Sequence, residues 1–260
     1  MLRELLLAAM MVVFSLAGTA NAAHPLITDD SGTQGKGKIQ LEFFGEYGFD
    51  RKDGITEKSL QAPTVPFLTY GLTDAADIVL GLSYNEVATE HAGGTSAIRG
   101  IGDATVELKT RFYEKNGLSF AVKPGITLPS GDDNKGLGNG RASYHIFFIT
   151  SQDSQPWALH LNLGYIRNEY RIKGVKDANR VDIWHVSLAT QVEVFNKLKA
   201  VANIGMERNP DKTSETHPAF ILGGLIYSIT GNIDVDAGIK FGLNKQETEI
   251  SYLAGITWRI

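Results

Sequence analysis

The 260-residue chain has no cysteine. A disulfide framework and a thiolate metal site are therefore excluded. Long apolar runs are also missing beyond the opening segment. No later window approaches the roughly 20 apolar residues that a membrane helix needs, and mean hydropathy is −0.10. A helical membrane protein is excluded with them. The chain lacks a basic tract and carries a net charge of −4, so nucleic acid is not an expected partner. It also has no nucleotide-binding motif, linker or low-complexity stretch.

What is present begins with a secretion signal. Arg3 precedes an apolar run from Leu5 to Ala17. Small residues follow, and Ala20-Asn21-Ala22 supplies an A-x-A-like cleavage site. Residues 1–22 are expected to be a cleaved signal peptide. Only a closed barrel would let an exported strand-rich chain of this kind cross a membrane, because lipid offers no partner to open strand edges.

After residue 38 the pattern has period two. Ala104, Val106, Leu108, Thr110 and Phe112 alternate with Thr105, Glu107, Lys109 and Arg111. Ile233, Val235, Ala237, Ile239 and Phe241 alternate with Asp234, Asp236, Gly238 and Lys240. The last segment sets Ile250, Tyr252, Ile256 and Trp258 against Glu249, Ser251, Thr257 and Arg259. Clear segments also cover 39–49, 78–85 and 118–128, and weaker ones lie near 59–72, 141–151, 157–168, 182–195, 198–206 and 218–229. The expectation is about 12 strands of an up-and-down antiparallel barrel. Pro63 and Pro66 lack a ladder donor, so the early part of the second strand is expected to bend or leave the sheet.

Alternation alone also fits a soluble sandwich. Loop lengths separate the two. Long connections near 50–58, 86–100, 129–140, 169–180, 207–217 and 244–248 alternate with short ones near 73–76, 113–117, 152–155, 196–197 and 230–232. Outer-membrane barrels arrange extracellular loops and periplasmic turns this way. Aromatics gather at both strand ends, with Phe112, Tyr113, Trp157, Tyr227 and Trp258 on the short-turn side. Tyr47, Phe49, Tyr84, Tyr165 and Trp184 fall on the other, as two interfacial girdles would. The expected organisation is a periplasmic lead-in at 23–38, or a short arm entering the barrel, and a transmembrane barrel at 39–260.

Four stretches carry a resemblance. They are His24-Pro-Leu-Ile-Thr-Asp-Asp-Ser-Gly-Thr-Gln-Gly-Lys-Gly37, Tyr70-Gly-Leu-Thr-Asp74, Gly100-Ile-Gly-Asp-Ala-Thr-Val-Glu-Leu-Lys109 and Pro124-Gly-Ile-Thr-Leu-Pro-Ser-Gly-Asp132. Together they resemble the MetA-pathway of phenol degradation family of outer-membrane proteins and transporters. The resemblance implies a barrel and a link to uptake of aromatic compounds. It carries over no catalytic or binding residue.

The inward face is expected to carry Glu42, Glu46, Glu107, Lys109, Arg111, Lys123, His145, His160, Asp234, Asp236, Lys240 and Arg259, with Asp103, Glu193, Lys199 and Glu249. Mixed charges can line a wet passage or pair into a lattice that fills the lumen. With eight acids against six bases on that face, ion selectivity is expected to be weak. His24 with Asp29 and Asp30 lacks a tight metal-ligand signature. His145 and His160, near Ser143 and Asn162, invite a surface lipid hydrolase reading, but no H-G-x-S string accompanies them. The chain is therefore expected to be no enzyme, without catalytic, cofactor or metal residues. The leading expectation is a passive channel or transporter of the bacterial outer membrane. It would contact outer-membrane lipid and pass a small-molecule solute, aromatic or apolar compounds being the candidates. The alternative is a structural or adhesive barrel with a filled lumen.

Overall fold

The computed structural model describes residues 24–52, 55–63, 66–91 and 94–260. The signal segment expected at 1–22 lies outside them. The strands are β1 (Ile39–Lys52), β2 (Ile55–Pro63), β3 (Phe67–Thr73), β4 (Ala76–His91), β5 (Gly94–Lys115), β6 (Leu118–Leu128), β7 (Ser143–Ser154), β8 (Trp157–Arg167), β9 (Asp182–Phe195), β10 (Leu198–Glu207), β11 (Ala219–Ser228), β12 (Ile233–Gly242) and β13 (Ile250–Arg259). A short helix, α1 (Lys173–Ala178), sits in the β8–β9 loop.

Neighbouring strands pair antiparallel, and β13 pairs back onto β1 from Gln40↔Arg259 to Phe49↔Ile250. The sheet is therefore closed. β2 and β3 occupy one position, each paired with β1 on one side and β4 on the other. The barrel thus has the expected twelve staves. The early part of the second strand stays in the sheet, contrary to expectation: Pro63 ends β2, where its missing N–H is least costly.

Two supposed long loops are corrected. Residues 50–52, 55–58, 86–91 and 94–100 are in strand, so β1, β4 and β5 run 14, 16 and 22 residues. Polar side chains such as Glu57, Lys58, Glu86 and Glu90 hide this extension from a hydrophobicity pattern. At the other end the turns are tight. Asn116 and Gly117 both take positive φ (52° and 79°), as a two-residue hairpin turn requires.

The burial pattern is that of an inverted protein. In β12, Asp234, Asp236, Gly238 and Lys240 are buried while Ala237, Ile239 and Phe241 are exposed. In β13, Ser251 and Thr257 are buried while Tyr252, Ile256 and Trp258 face out. A belt of exposed Phe, Leu, Ile, Tyr and Trp side chains encircles the barrel. Such a surface is far more apolar than water-soluble monomers tolerate, and lipid is the solvent that suits it. No described helix is long and apolar enough to cross a membrane.

A bulge interrupts the alternation near the end of β5. Arg111 opposes Ala121 and Tyr113 opposes Phe120, leaving Phe112 as an extra residue. Phe112 and Tyr113 both end up facing out, at 57% and 41% exposure.

Candidate functional site

Residues 24–37 do not trail below the barrel. They run inside it, touching one stave after another. His24 Nδ1 lies 2.5 Å from Asp236 Oδ1 on β12, and its ring stacks on Phe44 at 5.0 Å. Leu26 packs on Phe220, Leu222 and Leu253, a buried apolar cluster on the inner wall. The N–H groups of Ile27 and Thr28 donate to Asn203 Oδ1 on β10 (2.8 and 3.0 Å), and Asn203 Nδ2 donates back to Thr28 Oγ1. Asn162 on β8 accepts from Asp29 N (2.8 Å) and donates to Asp29 O (2.7 Å). Ser31 N donates to Ser151 Oγ on β7, and the hydroxyls of Ser31 and Ser119 are 2.6 Å apart. Gln34 N donates to both carboxylate oxygens of Asp77 on β4. Gly37 N then donates to Gly71 O on β3, and the chain enters β1.

This segment has no apolar periodicity because it pairs with side chains rather than with a ladder. Each buried peptide group still needs a partner, and the inward Asn, Ser and Asp side chains supply one. Thr28 and Ser31 are fully buried as a result.

The tightest approach is at Gly71, where an added Cβ would lie 1.9 Å from Gly35 O. Gly71→Ala must therefore push the arm from the wall. The expected cost is about 1–3 kcal/mol, read as a lower temperature for loss of the heat-modifiable folded band on gels.

The arm completes an ion network. Asp29 bridges Lys109 and Lys123, each Nζ 2.9 Å from a different carboxylate oxygen. Asp30 lies 3.5 Å from Lys109. Glu107 binds His145 (2.7 Å) and lies 3.6 Å from Lys123. Nearer the short turns, Arg259 pairs with Asp234 (2.6 Å) and donates to Gln40. Toward the loops, Lys240 holds Glu46 (2.8 Å) and Glu247 (3.4 Å).

The twelve candidate inward residues thus lie on the inner face of the staves. Glu42 lines the cavity beside the arm, and His160 is buried between Ser151 (2.8 Å) and Gln191 (3.1 Å). Arg111 is the outermost of them. It lies at the short-turn rim, paired with Glu114 (3.2 Å) and bound to Asp74 O. The bulge one residue later ends the alternation beyond it. His145 and His160 are on neighbouring strands but have separate partners. Among the described residues no group of side chains could hold a metal ion, and His24 pairs with Asp236 instead. Asn203, Asp77, Ser119 and Ser151 were not singled out in the sequence. Their only signal is a polar residue at an inward position.

The longer loops are tied down. Asp103 accepts from Gly131 N and Asn139 N (both 2.8 Å), folding loop 129–142 back onto β5. Arg171 grips Asp133 through two nitrogens, and this hydrogen bond holds the Asp133 carboxyl below the usual carboxylate range. Arg180 crosses from loop 168–181 to the carbonyls of Asn209 and Ser214 and to Glu215.

Two of the cavities bear on the arm and the loops. One of about 310 Å³ adjoins the arm, lined by Phe44, Phe67, Glu42, Asp29, Lys109 and Lys123 among others. The second, about 560 Å³, lies beneath the loops, between Leu60, Val87, Ile98, Leu137 and Lys240. Glu46 lines both.

A closed antiparallel barrel with an apolar belt, a polar interior and its longest loops, 129–142, 168–181 and 208–218, all at one end has the architecture of outer-membrane β-barrel proteins. This chain belongs to the MetA-pathway of phenol degradation family, whose model matches residues 26–260. Its fold is similar to the crystal structure of an outer membrane channel from Pseudomonas putida F1, with TM-score 0.69 at 12% identity over 89% of this chain and 98% of that one. It is also similar to the NanC porin, with TM-score 0.55 at 12% identity over 84% and 98% of the two chains. A third similar structure is the translocator domain of the autotransporter NalP from Neisseria meningitidis, with TM-score 0.50 at 10% identity over 100% and 95%. At such identities the likeness establishes the fold alone. No curated protein matches the sequence.

Proposed function

We propose that the protein is a passive channel of the bacterial outer membrane for small molecules, with aromatic compounds the class to which its family points. The observation that carries this reading is the pair of cavities that share Glu46 as a lining residue inside a closed, polar-lined wall. They form the outer part of a route from the loops to the arm. The exposed apolar belt contacts lipid, and the loops on the long-connection side face outward. The P. putida neighbour is described as an outer membrane channel and NanC as a porin, which supports the same reading.

The buried contacts of the arm favour a second reading, a filled barrel whose loops bind partners. Ion conduction across a planar bilayer separates the two, since a filled barrel carries no current. The channel also has an expected sign. The cavity beside the arm is lined by six carboxylates (Asp29, Asp30, Glu42, Glu46, Asp77 and Glu107) against Lys109 and Lys123. A constriction so lined favours cations, more strongly than the near-balance of the whole inner face implies. A salt gradient is expected to give a reversal potential on the cation side. A reversal potential on the anion side would contradict this assignment of the constriction.

A further inference from the structure

We infer that the seat occupied by the Asp29 carboxylate, between Lys109 and Lys123, is a binding site for the carboxylate of an aromatic monoacid, which displaces Asp29 as it passes. The inference rests on the channel reading and names a solute class for it.

The geometry is that of a captured carboxylate. One oxygen of Asp29 meets each lysine at 2.9 Å. The side chain is held by nothing else in the described contacts, whereas its main chain is fixed separately by Asn162 on both N–H and C=O. The carboxylate can therefore swing away while the arm stays docked. It is also the most accessible member of the group, its side chain 25% exposed against 9% for Lys109 and 16% for Lys123. All three open onto the 310 Å³ cavity. That cavity offers an apolar lodging for a ring, with Phe44 and Phe67 at 5.2 Å and Leu26, Val79 and Leu253 nearby.

Charge selects the ligand. A neutral solute that pushed Asp29 aside would leave two buried lysines without their shared partner, which is strongly unfavourable. At the two lysines a monocarboxylate replaces one negative charge by another, while Asp29, tethered by its main chain, turns into the cavity; this exchange admits the acid at a constriction whose lining otherwise favours cations. Asp30 stays by Lys109 and Glu107 by Lys123, so a second negative charge on the ligand would find no free cation at the seat.

The test is calorimetric titration of the detergent-solubilised, heat-modifiable barrel with benzoate, its neutral isostere benzamide, the dianion phthalate and ringless acetate. Benzoate is expected to bind best. Asp29→Asn removes the internal competitor while keeping the main-chain bonds to Asn162. It should tighten benzoate about tenfold if the seat is otherwise free about one-tenth of the time, and leave benzamide unchanged. Adding Lys109→Met, or Lys123→Met should the first variant not fold, is expected to abolish that gain. Equal binding of benzoate and benzamide to Asp29→Asn, or no benzoate binding, overturns the inference. Conductance of the same preparations reads the channel separately. Current without benzoate preference removes the carboxylate seat alone. Benzoate binding without current in any variant removes the channel reading and leaves the seat.

Discussion

Deleting residues 24–37 is expected to raise single-channel conductance several-fold. The arm sweeps the interior from Asp236 on β12 to Asp77 on β4, and its side chains wall in the 310 Å³ cavity. Nothing in the β1–β13 ladder depends on it. Closure runs through Gln40↔Arg259 to Phe49↔Ile250 and through Ile39 and Ile260 main-chain bonds, all outside the deleted residues. The deletion variant should therefore keep its heat-modifiable migration. It also loses Asp29 and Asp30, two of the six carboxylates at the constriction. Cation preference should fall as conductance rises. Planar-bilayer recording of both forms checks the two changes together. Unchanged conductance in a folded deletion variant would show that the arm does not occlude the route.

Replacing Lys109 by methionine carries the largest expected energetic effect on arm docking. Lys109 is 7% exposed, and both of its ion-pair partners, Asp29 and Asp30, belong to the arm. The variant leaves a nearly buried Asp30 without that cation. Breaking one side of a buried ion pair costs about 3–5 kcal/mol, and Lys123, which still holds Asp29, places the effect toward the lower end. The barrel wall should survive while the arm loosens. Hydrogen exchange of residues 24–37, measured against β10 and β12 as internal references, reads that difference. Combining Lys109→Met with Asp30→Asn should restore much of the protection, because Asp29 keeps Lys123 and the buried carboxylate that met Lys109 is neutralised with it. Equal protection of the arm in Lys109→Met and the parent would contradict the assigned role of the network.

The barrel was legible in the sequence because lipid and lumen impose opposite demands on alternate residues, as in Asp234 to Phe241. The loop lengths from residue 129 on separated it from a soluble sandwich. The strand extensions past Phe49 and Asn85 were not legible. Beyond the membrane both faces are wet, so Thr56 to Lys58 and Glu86 to Thr89 carry no contrast. The bulge at Phe112 was not legible, because an extra residue slips the register without a mark in the pattern. The candidate site was legible as a set of inward charges and not as a set of pairs. Lys109 meets Asp29 across 80 residues of chain, and period two says nothing of what crosses the lumen. The arm was the least visible part. Its Thr, Asp, Ser and Gly residues have the composition of a solvated turn, and only the register of Asn162, Asn203 and Asp77 around it shows that they satisfy a buried backbone.

The most direct test of the channel is solute entry into liposomes carrying the refolded full-length barrel, with graded sugars and aromatic acids as probes. Small solutes are predicted to enter faster than into protein-free liposomes, with a size cutoff, and aromatic acids faster than sugars of similar size. Failure of every probe to enter through the folded full-length barrel, and equally through the form lacking residues 24–37, would contradict the account and leave a filled barrel that acts through its loops.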